Sequence, residues 1–148
     1  MLNVRISTKG RYGLRTLMDI AMHQSKGAVT LNDIAKRQEI SVKYLWQVIN
    51  PLKTSGLLNV TRGAKGGYVL ARRPEEITML DIVTILEGPL SLVECLTTED
   101  FCNRIDSCVA RSVWHEVNQA VQKALSGITL AEVLRRYVDS ADVNNYVI

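Results

Sequence analysis

Three amphipathic helical stripes follow one another over residues 8–56, and immediately after the last of them the hydrophobic period changes from helical to strand-like. Few folds accept that order. Leu14, Leu17, Met18 and Ala21 recur at i, i+3, i+4 and i+7, which is one buried helical face. Ser7 or Thr8 is its expected N-cap, and its end falls near Gly27. Thr30-Leu31-Asn32-Asp33 reads as a capping box opening a short second helix through about Gln38. Ser41 caps a third helix with the stripe Leu45, Val48, Ile49 and Leu52, stopped by Gly56. Pro51 lies inside that helix, where the missing N–H and the ring predict a kink near Gln47. The runs Leu57–Thr61 and Tyr68–Ala71 then read as β strands separated by Arg62-Gly63-Ala64-Lys65-Gly66-Gly67. A phosphate loop is excluded, because a strand rather than a helix follows and GxxxxGK(S/T) is absent. Three helices with a tight turn between the last two, then a basic-tipped hairpin, predict a winged helix-turn-helix over residues 1–73.

Charge points the same way. The net +3 of the 148 residues hides a division: residues 1–73 carry thirteen Lys/Arg against three Asp/Glu, 13 − 3 = +10. Residues 74–148 carry five against twelve, 5 − 12 = −7. A basic half of this kind favours a polyanion, and double-stranded DNA is the first candidate. The polar face of the third helix offers Lys43, Gln47, Asn50 and Lys53 beside Tyr44; amide side chains pair with adenine, and lysine reaches guanine or phosphate. Trp46 stands among them, with core packing as its expected role and stacking on a sugar as the alternative. No run approaches a membrane span, and no apolar signal region opens the chain, so a cytoplasmic protein is expected. No cofactor loop and no His–Cys pairing supports an enzyme or a small-molecule substrate.

The acidic half begins at Pro74. Thr78-Met79-Leu80-Asp81 is a second capping box, opening a helix with Leu80, Val83 and Leu86 inward and ending at Gly88-Pro89. Residues 89–107 read as irregular, and 109–125 as a long helix. Along that helix Ala110, Val113, Val117, Ala120 and Ala124 alternate in steps of three and four, a seam suited to a partner helix and hence to a homodimer. A shorter helix opens at Thr129. Fold class is therefore mainly α with one small β hairpin, and residues 74–148 form a sensor and dimerisation region.

The three cysteines lie within fourteen residues, as Cys95-x6-Cys102-x5-Cys108. Clustering in a polar loop suits a soft metal or an iron–sulfur cluster; a thiol switch, a zinc site and small buried hydrophobes are the alternatives. His23 should pack at the rim of the core. His115 follows Cys108 by seven positions, about 10.5 Å along a helix, and reads first as a solvated helix histidine.

Ile6-Ser7-Thr8-Lys9-Gly10-Arg11-Tyr12-Gly13, Ile40-Ser41-Val42-Lys43-Tyr44-Leu45 and Arg62-Gly63-Ala64-Lys65-Gly66-Gly67-Tyr68 resemble the IscR/NsrR/CymR family of bacterial repressors over nearly the whole chain. Three cysteines before the long helix resemble its iron–sulfur members, IscR and NsrR, more than the cluster-free CymR type. The resemblance implies a homodimeric repressor sensing iron–sulfur or redox status, with Cys95, Cys102 and Cys108 ligating a 2Fe–2S cluster. It also implies that Ser41, Lys43, Tyr44 and Gln47 address the major groove and Arg62 the minor groove, with Lys65 beside it on the wing. Three positions depart from the family pattern. Arg111 stands where IscR-like members carry a histidine, so the fourth ligand is open to His115, an acidic side chain, a partner-subunit residue or no protein donor. Arg11 replaces the aspartate of NsrR-like members, and Trp46 replaces a glutamate of the IscR reading helix.

Overall fold

A computed structural model describes residues 5–145. Each of the first three helices starts where a short polar side chain can occupy an otherwise unpaired backbone donor. Helix α1, Thr8–His23, is capped by Ser7, whose Oγ accepts the Gly10 N–H at 3.4 Å. It passes into a 3-10 turn, Gln24–Lys26, and stops at Gly27, whose φ of 123° suits glycine. Helix α2, Leu31–Gln38, has Thr30 Oγ1 accepting from the Asp33 N–H at 3.1 Å, while the Thr30 hydroxyl donates to the Asp33 carboxylate at 2.8 Å. Glu39 then turns left-handed (φ 55°), and the Ile40 N–H closes onto the Ala35 carbonyl at 3.0 Å. That turn delivers helix α3, Val42–Thr54, with Ser41 Oγ accepting the Tyr44 N–H at 3.2 Å.

The predicted stripe of α3 is the buried one: Leu45, Val48, Ile49 and Leu52 are all fully inaccessible. Pro51 does not end the helix, which continues to Thr54. Buried side chains on both sides of the proline pin the two segments to the same core, so the lost hydrogen bond does not terminate the element. Strand β1, Leu58–Thr61, pairs antiparallel with β2, Gly67–Leu70, in the register Leu58↔Leu70 and Val60↔Tyr68. Tyr68 also exchanges backbone hydrogen bonds with Val29, at 2.8 and 2.9 Å, tying the hairpin to the approach of α2. A Cβ on Gly67 would fall 2.5 Å from the Val29 carbonyl oxygen, so this junction requires glycine.

Helix α4, Met79–Glu87, begins with the full capping box of Thr78 and Asp81, at 3.1 and 2.9 Å. Its buried residues are Ile82, Val83 and Leu86, whereas Leu80, expected to point inward, is half-buried. The reason is that α4 packs against α1 and α3 on one side and against a later helix on another, so its apolar residues divide between two contacts. That later helix is α5, Val109–Ser126, and α6, Leu130–Asn145, completes the fold. At 16 residues α6 is the shorter of the two, as expected, though only by two residues against the 18 of α5. Its start is fastened to that of α4 by Met79 N–H to Ile128 O (2.8 Å) and Leu130 N–H to Ile77 O (2.7 Å). Glu132 makes only half of a capping box with Thr129. Its N–H reaches Thr129 Oγ1 at 3.2 Å, while its carboxylate pairs with Arg135 and Arg136, each at 2.8 Å. Those hydrogen bonds lower its pKa to about 2.

Leu17, Ile20, Ile34, Leu45, Ile49, Leu52 and Leu57 share one core cluster with Ile77, Ile82, Leu86 and Leu130. The core thus runs across residue 73, where the charge changes sign. Among the described residues no helix is long and apolar enough to cross a membrane.

Candidate nucleic-acid interface and cysteine site

Burying one stripe of α3 leaves the other facing out. Ser41, Lys43, Gln47, Asn50 and Lys53 are exposed, as expected. Tyr44 is half-buried, its ring edge-on to Tyr12 at 5.6 Å, so it is oriented by α1 and only partly free. The Ser41 hydroxyl is engaged in capping but remains at the surface. Trp46 overturns the core-packing expectation: it is 49% exposed. Position 46 follows the buried Leu45 by one residue, and a 100° step carries it off the core stripe. Together with Lys9 of α1, Gln47, Asn50, Pro51 and Thr54 it lines a shallow groove on the exposed face. Among the described residues Lys9 is the one lining residue outside α3, and no periodicity of α3 could have placed it there.

The turn joining β1 to β2 leaves Arg62 and Lys65 exposed. Gly63 at φ 105° and the bond from Gly66 N–H to Gly63 O, 3.0 Å, hold this tip in a tight conformation. Helix α3 and the basic tip thus belong to one body, positioned by a common core. Asp19 stiffens that body from behind. Its carboxylate is buried in α1, accepts from Arg37 Nε (3.0 Å) and Nη2 (2.6 Å), and accepts from Gln38 Nε2 (2.9 Å). Burial alone would raise its pKa, but the hydrogen bonds from Arg37 and Gln38 outweigh that and lower it. His23 sits at the rim as expected, with Nδ1 2.7 Å from the Asp19 carbonyl oxygen.

The segment between α4 and α5 is irregular apart from 3-10 turns at Glu94–Leu96 and Ile105–Ser107. It brings Cys95, Cys102 and Cys108 onto the wall of one cavity of about 140 Å³, shared with Phe101, Arg104, Ile105 and Arg111. All three are free thiols; Cys102 is exposed and the other two are half-buried. Cys108 is also the N-cap of α5, its Sγ accepting the Arg111 N–H at 3.4 Å. Arg111 Nε donates to the Cys95 carbonyl at 3.1 Å, so one residue, through its backbone N–H and its side chain, bridges the last and first cysteine positions. His115 lies exposed further along α5 and is not among the residues lining this cavity. Among the described residues no three His, Cys, Asp or Glu side chains stand close enough together to hold a metal ion.

Ala110, Val113, Val117, Ala120 and Ala124 are all exposed on α5, joined by Val109 and Trp114. The opposite face of α5 packs inward through Asn118, which is 8% exposed. Asn118 Oδ1 accepts the Leu92 N–H at 3.1 Å and its Nδ2 donates to Leu90 O at 3.3 Å, anchoring the start of the cysteine segment. Glu87, the last residue of α4, was equally invisible in the sequence pattern. Its Oε1 accepts from the Ser7 hydroxyl, the Ser7 N–H (2.9 Å) and the Gly10 N–H (3.1 Å). The residue preceding the cysteine segment is therefore clamped to the start of α1.

The chain and its fold resemble known proteins. Residues 6–136 match the Rrf2 family, described as iron-dependent transcriptional regulators. The chain is 42% identical over 132 residues to protein rrf2 of Nitratidesulfovibrio vulgaris, covering 89% of this chain and 88% of that one. It is 40% identical over 136 residues to the regulator CymR of Bacillus subtilis, covering 92% and 93% of the two chains. The solved structure of B. subtilis CymR superposes with a TM-score of 0.75 at 38% identity, covering 90% of this chain and 98% of that one. T. potens IscR superposes with a TM-score of 0.72 at 39% identity, covering 91% and 89%. The fold is accordingly the winged helix of these regulators, the relatives are transcriptional regulators rather than enzymes, and the chain belongs to the Rrf2 family of transcriptional regulators.

Proposed function

We propose that the protein is a homodimeric repressor of double-stranded DNA whose affinity or selectivity is set at its cysteine segment, by a 2Fe–2S cluster on Cys95, Cys102 and Cys108. One observation carries this reading: three thiols separated along the chain line a single cavity at the start of a helix whose outer face is uncovered and apolar. Three thiols are the soft donor set that iron–sulfur clusters require. The set fits in chemistry, and ligation would draw the sulfurs closer than they now stand. His115 is the histidine that α5 offers as a fourth donor, from outside the present cavity wall. When bound, the cluster supplies a group whose integrity reports iron supply and oxidation.

The chain's own residues link that segment to the reading head. Asn118 holds the start of the segment against α5, Arg111 spans the cavity, and Glu87 grips α1 at Ser7 and Gly10. Ordering of residues 88–108 thus biases α4, and through it α1 and the packed α3. Ser41, Lys43, Tyr44 and Gln47 then address the major groove, Arg62 the minor groove, and Lys65 the flanking phosphates. The acidic residues of the second half turn the cysteine segment away from DNA.

Anaerobically prepared protein should show visible charge-transfer absorption with matching iron and sulfide. Cys102→Ala should lose both while remaining dimeric; a colourless zinc protein would sink the cluster reading. Arg62→Ala should weaken duplex binding, relax a nearby A·T preference and reduce the salt dependence by about one counterion. Unchanged affinity would remove Arg62 from the interface.

A second reading, a cluster-free thiol or zinc switch, is favoured by the exposure of Cys102. The solved CymR structure is described as that of the global cysteine regulator of B. subtilis. The same anaerobic iron and sulfide measurement separates the two.

A further inference from the structure

An indole half exposed to water on the outer face of a helix is an apolar surface that gains by being covered. Trp46 is so placed, with 49% of its surface exposed. Its neighbours in the groove are Pro51, a second apolar surface, and the polar Gln47, Asn50 and Thr54, with Lys9 closing one side. No carboxylate lines the groove, and Lys43 and Lys53 flank it on the same helix. A groove lined by an indole, a proline ring, two amides and a hydroxyl inside a cationic surface matches one feature of the duplex. In the major groove, thymine alone presents an apolar group, its C5 methyl, beside hydrogen-bonding edges and phosphates.

We infer that the Trp46–Pro51 groove is a methyl-reading subsite: it takes the C5 methyl of a thymine in the major groove, making Trp46 a specificity-determining residue of the operator contact. This rests on the DNA-reading proposal above. Gln47 and Asn50, on the walls of the same groove, reach the polar edges of the neighbouring bases, and Lys9 reaches the phosphate alongside. Trp46 contributes contact area and selectivity for one base, whereas Lys43 and Lys53 contribute charge to every sequence alike.

The test uses the full-length protein and duplexes recovered from a random-sequence pool. Each thymine of the recovered site is replaced singly by deoxyuridine, which removes the methyl and leaves the pairing edge intact. The wild type should bind about fourfold more weakly for each subsite thymine that loses its methyl, the equivalent of about 0.8 kcal/mol for one buried carbon. Trp46→Ala should bind both duplexes equally and recover sites no longer enriched in that thymine; Trp46→Phe should restore part of the discrimination. Trp46 is exposed, so both variants should keep the wild-type circular dichroism. A flat deoxyuridine scan with the wild type overturns the inference, as does a methyl effect that survives in Trp46→Ala. Uniform weakening by Trp46→Ala with a flat scan assigns the indole to the sugar–phosphate backbone instead. Failure to retain any duplex overturns the DNA reading itself, and retention with a flat scan overturns the methyl subsite alone.

Discussion

Asp19 shows how much a single side chain can decide. It lies on the core-facing side of α1, where an isolated carboxylate would be strongly unfavourable, and it is kept there by Arg37 and Gln38 from the end of α2. Its folded pKa is lowered from 3.8, so its contribution is present above the unfolded value and is lost as pH falls through the folded one. Asp19→Ala should cost about 3 kcal/mol at pH 7. The difference from wild type should shrink below about pH 4, as denaturant midpoints at the two pH values would report. Equal losses at pH 7 and pH 3 would mean that the pair is not responsible. Caps such as Ser41 and Thr78 were readable in the sequence because cap and donor lie three residues apart. Asp19 was not, because its partners lie 18 and 19 residues away and only the folded α1–α2 contact joins them. Trp46 was misjudged because large aromatics are usually core; only the rotation of α3 shows it outside.

Between elements, the contact of α1 with α4 gives the glycine-bearing opening of α1 its physical meaning. A Cβ on Gly13 would stand 2.0 Å from Leu86 Cδ1, and one on Gly10 would stand 2.4 Å from Glu87 Oε1. Both glycines permit the close approach of the helix that leads into the cysteine segment. Gly13→Val should therefore force the two helices apart, costing about 1–3 kcal/mol by overpacking and lowering Tm by several degrees. A surface site of the same helix, Arg11→Ala, should leave Tm within a degree or so. Undiminished Tm in Gly13→Val would show that α4 does not need this approach. The periodic stripes of α1 and α3 were legible because each faces one core. The stripe of α4 was legible in part: Val83 and Leu86 are buried as read, but Ile82 is buried where Leu80 was expected, because α4 packs against α5 as well as against α1 and α3.

At the scale of the whole molecule, the charge division and the packing do not coincide. The +10 and −7 halves meet at residue 73, yet Ile77, Ile82, Leu86 and Leu130 complete the core that Leu17 and Leu52 begin. The acidic half is thus both a buttress of the reading head and the carrier of an uncovered apolar helix face. In a dimer built on that face, Val113→Glu combined with Ala120→Glu should give a monomer by sedimentation. Helical circular dichroism should be unchanged, because neither position is buried within the chain. The same variant should bind a two-half-site duplex far more weakly while retaining salt-sensitive binding to random DNA. A double variant that stays dimeric would move the interface elsewhere.

What the sequence determined by itself is whatever depends on near neighbours: the caps, the helical stripes of α1 to α3, the hairpin and its basic tip, and the signs of charge on the two halves. Periodicity and capping act over three to seven residues, so they can be read along the chain. The tertiary structure alone decided what depends on elements meeting. It set Trp46 and Lys9 side by side in one groove, gathered three cysteines and Arg111 on one cavity wall, and left the small-residue face of α5 outside. It also set Glu87 against Ser7 across 80 residues. Contacts of that separation are fixed by how helices pack over a shared core, and no local pattern encodes them.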